Sequence, residues 1–253
     1  MIAKTPEDVA TLREAGKRMA EVVAEVLAQV RPGVPSMELE RVARATTARV
    51  GSVPSYLGFA SEHGGPAYPA ALCVSVNQEI AHSPPTPDKI LKTGDVVSID
   101  FGLSYQGYFM DTAYTCAVGA VDSKAKNLIA GTQEALSAAI AAAQCGGHIG
   151  DIGAAAQAVA QRYGLGVVKD LRGHGVGAAV HELPNVPNFG KAGTGEELVE
   201  GMVLALEPIF AEGSGALIDQ GDGFTFVTKD GSRAAHFEHT ILVTKNGPEV
   251  LTA

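Results

Sequence analysis

LAQVRPGVPSMELERVARATTARVG, residues 27–51, lies without gaps on IAAAQCGGHIGDIGAAAQAVAQRYG, residues 140–164, when the chain is shifted by 113 residues. Ala28, Gly33, Ala43, Ala45, Arg49 and Gly51 meet identical residues at Ala141, Gly146, Ala156, Ala158, Arg162 and Gly164. Both windows carry a helix end, a glycine turn and a second helix closed by glycine. Apolar residues at Val9, Leu12, Met19, Val22, Val26 and Val30 predict a first helix with Thr5 as N-cap and Pro6 at N1, ended by Gly33. A second helix is predicted from Ser36 as N-cap through Leu39, Val42 and Ala43 to Gly51. The helical pattern returns from Ser123 to Ala143, and again after Gly146 and Gly147 as far as Gly164. The order helix, glycine turn, helix, strands thus recurs, and we read it as an internal duplication, by analogy with period-based repeats.

Each helical stretch is followed by strand patterns. VVSIDFGL (96–103) and MDTAYTCAV (110–118) are the clearest runs of the first half. MVLALEPIF (202–210) and DGFTFVTKDGSRAAHFEHTILVT (222–244) close the second, with a hairpin turn expected at Lys229, Asp230 and Gly231. Two separate α+β domains are an alternative, but no Pro/Gly/Ser-rich linker divides the halves. The expectation is therefore a single α+β domain over 1–253, with one pseudo-symmetric sheet covered by helices on one side.

Bulk properties narrow the function. A chain of 253 residues with 46% hydrophobic content suits a packed globular fold. A net charge of -9 argues against a nucleic-acid groove, which needs clustered Lys and Arg to displace counterions. Cys73, Cys116 and Cys145 are odd in number and lack CxxC spacing, so neither a disulfide framework nor a zinc ribbon is supported, and a reducing compartment fits. The N-terminus has no apolar signal region and no run reaches the roughly 18 apolar residues of a membrane span, so a cytoplasmic protein is expected.

Asp100 and Asp111 flank the turn SYQG. A turn centred between Tyr105 and Gln106 places them directly opposite each other on one face of a hairpin, whereas a turn around Gly107 leaves them diagonal neighbours. Facing carboxylates are destabilising unless a cation or a shared proton lies between them. The hairpin alone leaves open that one aspartate is a turn or surface residue. His174 lies in RGHGVG, where glycines let backbone approach a site closely, and Glu207 and Glu238 sit in apolar strand-like runs. A buried Glu needs a partner, and either could pair with Arg or Lys. Together, four carboxylates and one imidazole make the ligand set of a dinuclear Mn, Fe, Co or Zn site. Strand alternation puts His236 on the same face as Glu238, where it would orient that carboxylate or a bound water, and His239 on the opposite face.

SIDFGLSYQGYFMDTAYT, RGHGVGAAVHELPNV, ALEPIF and HFEHTILVTKNGPEVLT, in this order and spacing, resemble the type I methionine aminopeptidases. The resemblance extends to the N-terminal helix, to CVSVNQEIAHSPP around Cys73 and His82, and to the DGF segment at 222–224. It implies the pita-bread fold, two related halves forming a curved antiparallel sheet covered by helices. It also implies Asp100, Asp111, His174, Glu207 and Glu238 as ligands of two divalent metal ions, with Asp111 and Glu238 shared between them, Asp100 on one and His174 and Glu207 on the other. The implied activity is removal of the initiator methionine from nascent proteins with a small second residue, by attack of a water bridging the metals. Glu207 would accept its proton, His181 would stabilise the developing oxyanion, and His82 would contact the scissile amide or the N-terminal residue. Phe59, Tyr68, Cys73, His82, His181 and Phe224 would bind substrate, since polarizable and aromatic walls suit a thioether.

The chain departs from the family pattern at four places. Tyr56 stands where a smaller residue is frequent, Val180 where an aromatic precedes the second histidine, ASEHGGPAYPAA (60–71) is long, and NQEIAHSPP differs around its histidine. Expected partners are the N-terminal Met of nascent chains and a transient contact with the ribosome, for a monomer without nucleic-acid or membrane partners. Two other classes compete. A prolidase or Xaa-Pro aminopeptidase shares the fold but carries a large extra N-terminal domain, whereas strands begin here by Leu72. A non-catalytic pita-bread binding protein would have lost metal ligands, and all five are present.

Overall fold

The computed structural model describes residues 1–60 and 66–253, so of the long loop, whose glycines and prolines fit either a lid or an ordinary surface loop, Ser61–Gly65 lie outside the described residues. The first half comprises α1 (Pro6–Leu27), α2 (Ser36–Arg49), β1 (Val53–Pro54), β2 (Leu72–Val76), β3 (Glu79–Ala81), β4 (Val96–Tyr105) and β5 (Tyr108–Ala117). The second opens with α3 (Ser123–Ala142), α4 (Ile149–Tyr163), β6 (Gly166–Val167), β7 (Gly173–Gly175) and β8 (Glu182–Val186). It closes with β9 (Val203–Leu206), β10 (Ile209–Ala211), β11 (Leu217–Asp219), β12 (Phe226–Thr228), β13 (Ala234–His236), β14 (Glu238–Thr244) and β15 (Gly247–Val250). The 113-residue offset survives folding: α2 and α4 begin at Ser36 and Ile149, and β1 and β6 at Val53 and Gly166.

The start of α1 follows from its first residues. Thr5 accepts from Asp8 N at 3.1 Å while the Asp8 carboxylate accepts from Thr5 N at 2.9 Å, a reciprocal cap preceding Pro6. α1 ends at Leu27 rather than at Gly33, which instead donates its N–H to Leu91 O. Ser36 is not an N-cap either. Pro35 takes that place, and the Ser36 hydroxyl donates to Thr86 O and accepts from Thr86 N, both at 3.0 Å. Leu12, Met19 and Leu39 of α1 and α2 share a core with Val74, Ile99, Phe101 and Met110. Leu128 and Ile152 of α3 and α4 share a second with Leu204, Phe210 and Ile241. Each fully buried side chain of this size contributes roughly 1.5–3 kcal/mol.

The expectation of one sheet needs correction. A nine-stranded sheet has the order β1-β4-β5-β14-β9-β7-β8, with β2 on β4 and β15 on β14, and two three-stranded sheets run β13-β10-β6 and β11-β12-β3. All the pairings are antiparallel. MVLALEPIF and AAHFEHTILVT each read as one run but cross between sheets, at Glu207–Pro208 and at Phe237. Pro208 has no N–H for the ladder, so the break there is chemical. The expected hairpin at Lys229–Gly231 is likewise a turn between strands of different sheets. Asp230 causes this: its carboxylate accepts from Ser232 N at 3.1 Å and Ser214 N at 2.9 Å, tying the turn to another loop.

The β4–β5 register also differs from the direct opposition weighed first. Gln106 (φ 51°) and Gly107 (φ 83°) both take left-handed backbone, as a two-residue hairpin loop with the right twist requires. Tyr105 therefore pairs with Tyr108, Asp100 with Ala113, and Asp111 with Gly102. The aspartates are diagonal neighbours.

Candidate metal centre

β4 and β5 bring Asp100 and Asp111 to one face, and β14 adds Glu238 beside Ala113, its pairing partner on β5. β5 and β14 are joined by only two residue pairs, and threonines extend the seam. Thr240 Oγ1 donates to Asp111 O at 2.8 Å and accepts from Asp111 N at 3.0 Å. Thr112 Oγ1 donates to Glu238 O at 2.6 Å, and Thr115 Oγ1 donates to His236 O at 2.7 Å. Three hydroxyls thus fix the backbone of three acidic or imidazole side chains. β7 supplies His174, paired with Ala205 of β9, and Glu207 follows at the end of β9.

The five side chains expected as ligands converge. Asp100, Asp111 and Glu238 each offer an oxygen within 4.8 Å of the others, and the same holds for His174, Glu207 and Glu238 and for Asp111, His174 and His181. Glu238 joins the first two groups. Asp100, Asp111, His174 and Glu238 are buried, and the Glu207 side chain is 12% exposed. Among the described residues no Lys or Arg pairs with any of them.

Electrostatics set what this cluster holds. Burial, then Asp100, pushes the carboxyls of Asp111 and Glu207 well above the usual range, with a Tyr56 hydrogen bond opposing it at Asp111. Burial followed by Asp111 does the same to Glu238. His174 is pulled down to about 3, by burial and then by His181, so its ring is neutral near pH 7. Its Nδ1 donates to Gly175 O at 2.9 Å, which leaves Nε2 as a lone-pair donor 3.9 Å from both Asp111 and Glu207. Among the described residues, Glu238 Oε1 and both ring nitrogens of His236 are buried without a hydrogen-bond partner. Such groups are costly unless something charged or polar meets them. A cluster of carboxylates with a fixed, neutral imidazole fits a divalent cation.

His236 lies where strand alternation put it, with Nε2 3.4 Å from Glu207 Oε2 and 3.7 Å from Glu238 Oε2. His239 points away, with Nδ1 2.9 Å from Thr252 Oγ1. The centre forms one wall of a cavity of about 460 Å³ that also holds Phe59, Tyr68, Cys73, His82, His181 and Phe224. Tyr68 and Cys73 are buried, and Phe224 meets Tyr68 edge-on at 5.3 Å. His181 stacks edge-on to His174 at 4.5 Å and to Phe59 at 5.5 Å, and exposed His82 stands 6.0 Å from Phe226. Sequence reasoning did not name Phe226 or Asp219 on this wall, and saw Tyr56 only as a departure. Yet the Tyr56 hydroxyl donates to Asp100 Oδ1 at 2.7 Å and also bonds Asp111 Oδ1. Phe226 opens β12 two residues after Phe224, in the run DGFTFVT, and that nearness was the available signal.

The sequence profile of metallopeptidase family M24 matches residues 10–245. The methionine aminopeptidase of Aquifex aeolicus is 43% identical over 249 residues, 97% of this chain and 96% of that protein. The crystal structure of methionine aminopeptidase from Thermotoga maritima superposes with a TM-score of 0.94 at 41% identity, covering 100% of this chain and 99% of that one. Prolidase from Pyrococcus furiosus shares the fold at a TM-score of 0.77 and 22% identity, with 65% of its chain covered. The α+β pita-bread architecture expected from the sequence is the one observed.

Proposed function

Because this chain belongs to metallopeptidase family M24, among the methionine aminopeptidases, we propose that it removes the initiator methionine from nascent proteins whose second residue is small. One observation carries the proposal: the buried ligand cluster forms a wall of the cavity that Phe59, Tyr68, Cys73 and Phe224 line with aromatic and thiol surface. Two divalent ions, Co, Mn, Fe or Zn, would be held by Asp100, Asp111, His174, Glu207 and Glu238, with Asp111 and Glu238 shared. When bound, the ions supply Lewis acidity toward the scissile carbonyl and toward the attacking water.

The protein's own groups do the rest. Glu207, partly accessible from the cavity, accepts the proton of the attacking water. His181, at the cavity rim beside His174, donates to the oxygen that gains charge, and His82 contacts the scissile amide. The apolar wall accepts the thioether of methionine and excludes water from it. The neutral α-amine of the substrate would be a further ligand to the held ions, which makes the cleavage exopeptidic. In the same reading the enzyme is one catalytic domain, monomeric and cytoplasmic, meeting nascent chains transiently at the ribosome. Three unpaired cysteines support a reducing compartment, and no helix among the described residues is long and apolar enough to cross a membrane.

The test is an assay of metal-loaded protein on peptides beginning Met-Gly, Met-Lys and Ala-Pro. Cleavage confined to Met-Gly is expected. Selective cleavage before Pro assigns a prolidase activity instead, and no cleavage with any divalent metal assigns a binding protein.

A further inference from the structure

The Tyr56 hydroxyl stands between the two aspartates, within hydrogen-bond reach of Asp100 Oδ1 and Asp111 Oδ1. A phenol carries a single proton, so one hydroxyl serves both carboxylates in turn. Its place is built rather than incidental. Ser55 N donates to Gly102 O at 2.8 Å, which anchors the segment to β4 just before the ring. Gly102 is the cross-strand partner of Asp111, and a Cβ there would lie 2.8 Å from Tyr56 Cε1 and 3.1 Å from Cζ. The ring therefore lies over bare backbone, and Tyr68 meets it edge-on at 6.3 Å.

We propose that the Tyr56 hydroxyl is a displaceable place-holder at the metal centre, occupying carboxylate oxygens of Asp100 and Asp111 that an entering divalent cation takes over. The proposal rests on the metal-centre reading above. Asp100 and Asp111 belong, with Glu238, to one set of mutually close ligand atoms, so a cation drawn to that set competes with the hydroxyl for the same carboxylates. Entry then exchanges the phenol hydrogen bond, made to either carboxylate in turn, for coordination. The contact also gives the paired aspartates a partner before metal arrives, where bare carboxylates would repel.

Tyr56→Phe keeps the ring in its slot and removes the competing hydroxyl. It also removes the hydrogen bond that the phenol gives the aspartates. Both effects favour the cation, so Mn²⁺ binding should tighten roughly tenfold, the scale of losing one hydrogen bond to a charged group from the competing state. Damage to the fold acts the other way, because a distorted site binds metal more weakly. Tyr68→Phe is the control, since the Tyr68 hydroxyl bonds Leu72 O at 3.3 Å rather than a ligand.

The experiment is isothermal titration of chelator-stripped full-length protein with MnCl₂, for wild type, Tyr56→Phe and Tyr68→Phe, alongside thermal melts with and without Mn²⁺. The expected result is a Kd lowered roughly tenfold in Tyr56→Phe alone, with a reduced melting temperature before metal that recovers at saturation. Equal or weaker Mn²⁺ binding by Tyr56→Phe, or equal tightening by Tyr68→Phe, overturns the place-holder while leaving the metal centre standing. A wild type that binds no Mn²⁺ overturns both.

Discussion

Asp111 faces Gly102, not Asp100, across the β4–β5 hairpin. In a diagonal pair the side chains start roughly 7 Å apart, so their carboxylates converge on a shared point instead of being pressed together. Asp111→Asn keeps the shape and the backbone bonds to Thr240 while removing one buried charge. Metal binding and kcat/KM should each fall at least about a hundredfold, beyond the roughly 10–100-fold that loss of an outer hydrogen-bond partner costs. The metal-free variant should melt no lower than wild type, because a repelling carboxylate has gone. Titration with Mn²⁺, peptide kinetics and a thermal melt check the three parts, and normal turnover would remove Asp111 from the centre.

We propose that His236 acts through its neighbours. Its ring reaches Glu207 and Glu238, and Thr115 holds its backbone from both sides, donating to His236 O and accepting from its N–H. His236→Asn should lower kcat/KM roughly 10–100-fold, with the loss appearing in kcat more than in KM because the ring is not on the apolar wall. A variant whose only change is a raised KM would place His236 in substrate binding instead.

Which parts of this were legible follows from what local pattern encodes. Helix starts at Thr5 and Ser123 and the offset between Ser36 and Ile149 were readable, because capping and periodicity are local. The diagonal of Asp100 and Asp111 was not settled, because one residue of turn placement moves the register by two and only the backbone of Gln106 and Gly107 decides it. The breaks at Glu207–Pro208 and Phe237 were missed, because an apolar run looks the same whether it stays in one sheet or crosses to another. Of the site, His236 could be derived from alternation. The convergence of His174 with Glu207 came only through resemblance, since 33 residues separate them and no periodicity links β7 to β9. Tyr56 was read as a pocket oddity because nothing local tells a tyrosine which hydroxyl partner it will meet.

Glu40 shows a buried carboxylate with a structural task. It is 3% exposed, accepts from Ala71 N at 2.9 Å and from Leu72 N at 3.3 Å, and pairs with Arg44. Glu40→Ala strands these buried donors and should destabilise by about 2–4 kcal/mol in urea unfolding, with Glu40→Gln costing less because one acceptor remains. Leu72 opens β2 directly after Ala71, and β2 carries Cys73 into the cavity. KM for a Met-Gly peptide should therefore rise in Glu40→Ala while kcat changes little. Unaltered stability would mean that water satisfies Ala71 and Leu72 equally well.

Acid should loosen the first helix through Asp8. Its carboxyl is held down at about 2 from an ordinary 3.8, first by the Tyr108 hydroxyl and then by the backbone N–H groups of Lys4 and Thr5. A carboxyl depressed on folding binds fewer protons in the native state than in the unfolded one. Its contribution is thus fully present above 3.8 and lost as pH falls from 3.8 towards 2. Asp8 is only partly buried, so solvent screens the effect and the shift in melting temperature is small. Wild type should melt above Asp8→Ala by a constant margin between about pH 5 and 7, and that margin should close through the acid window. Tyr108→Phe removes only the largest of the causes, so its margin should be smaller but close over the same window. A margin that widens on acidification would mean that the protonated side chain, rather than the carboxylate, anchors α1 to β5.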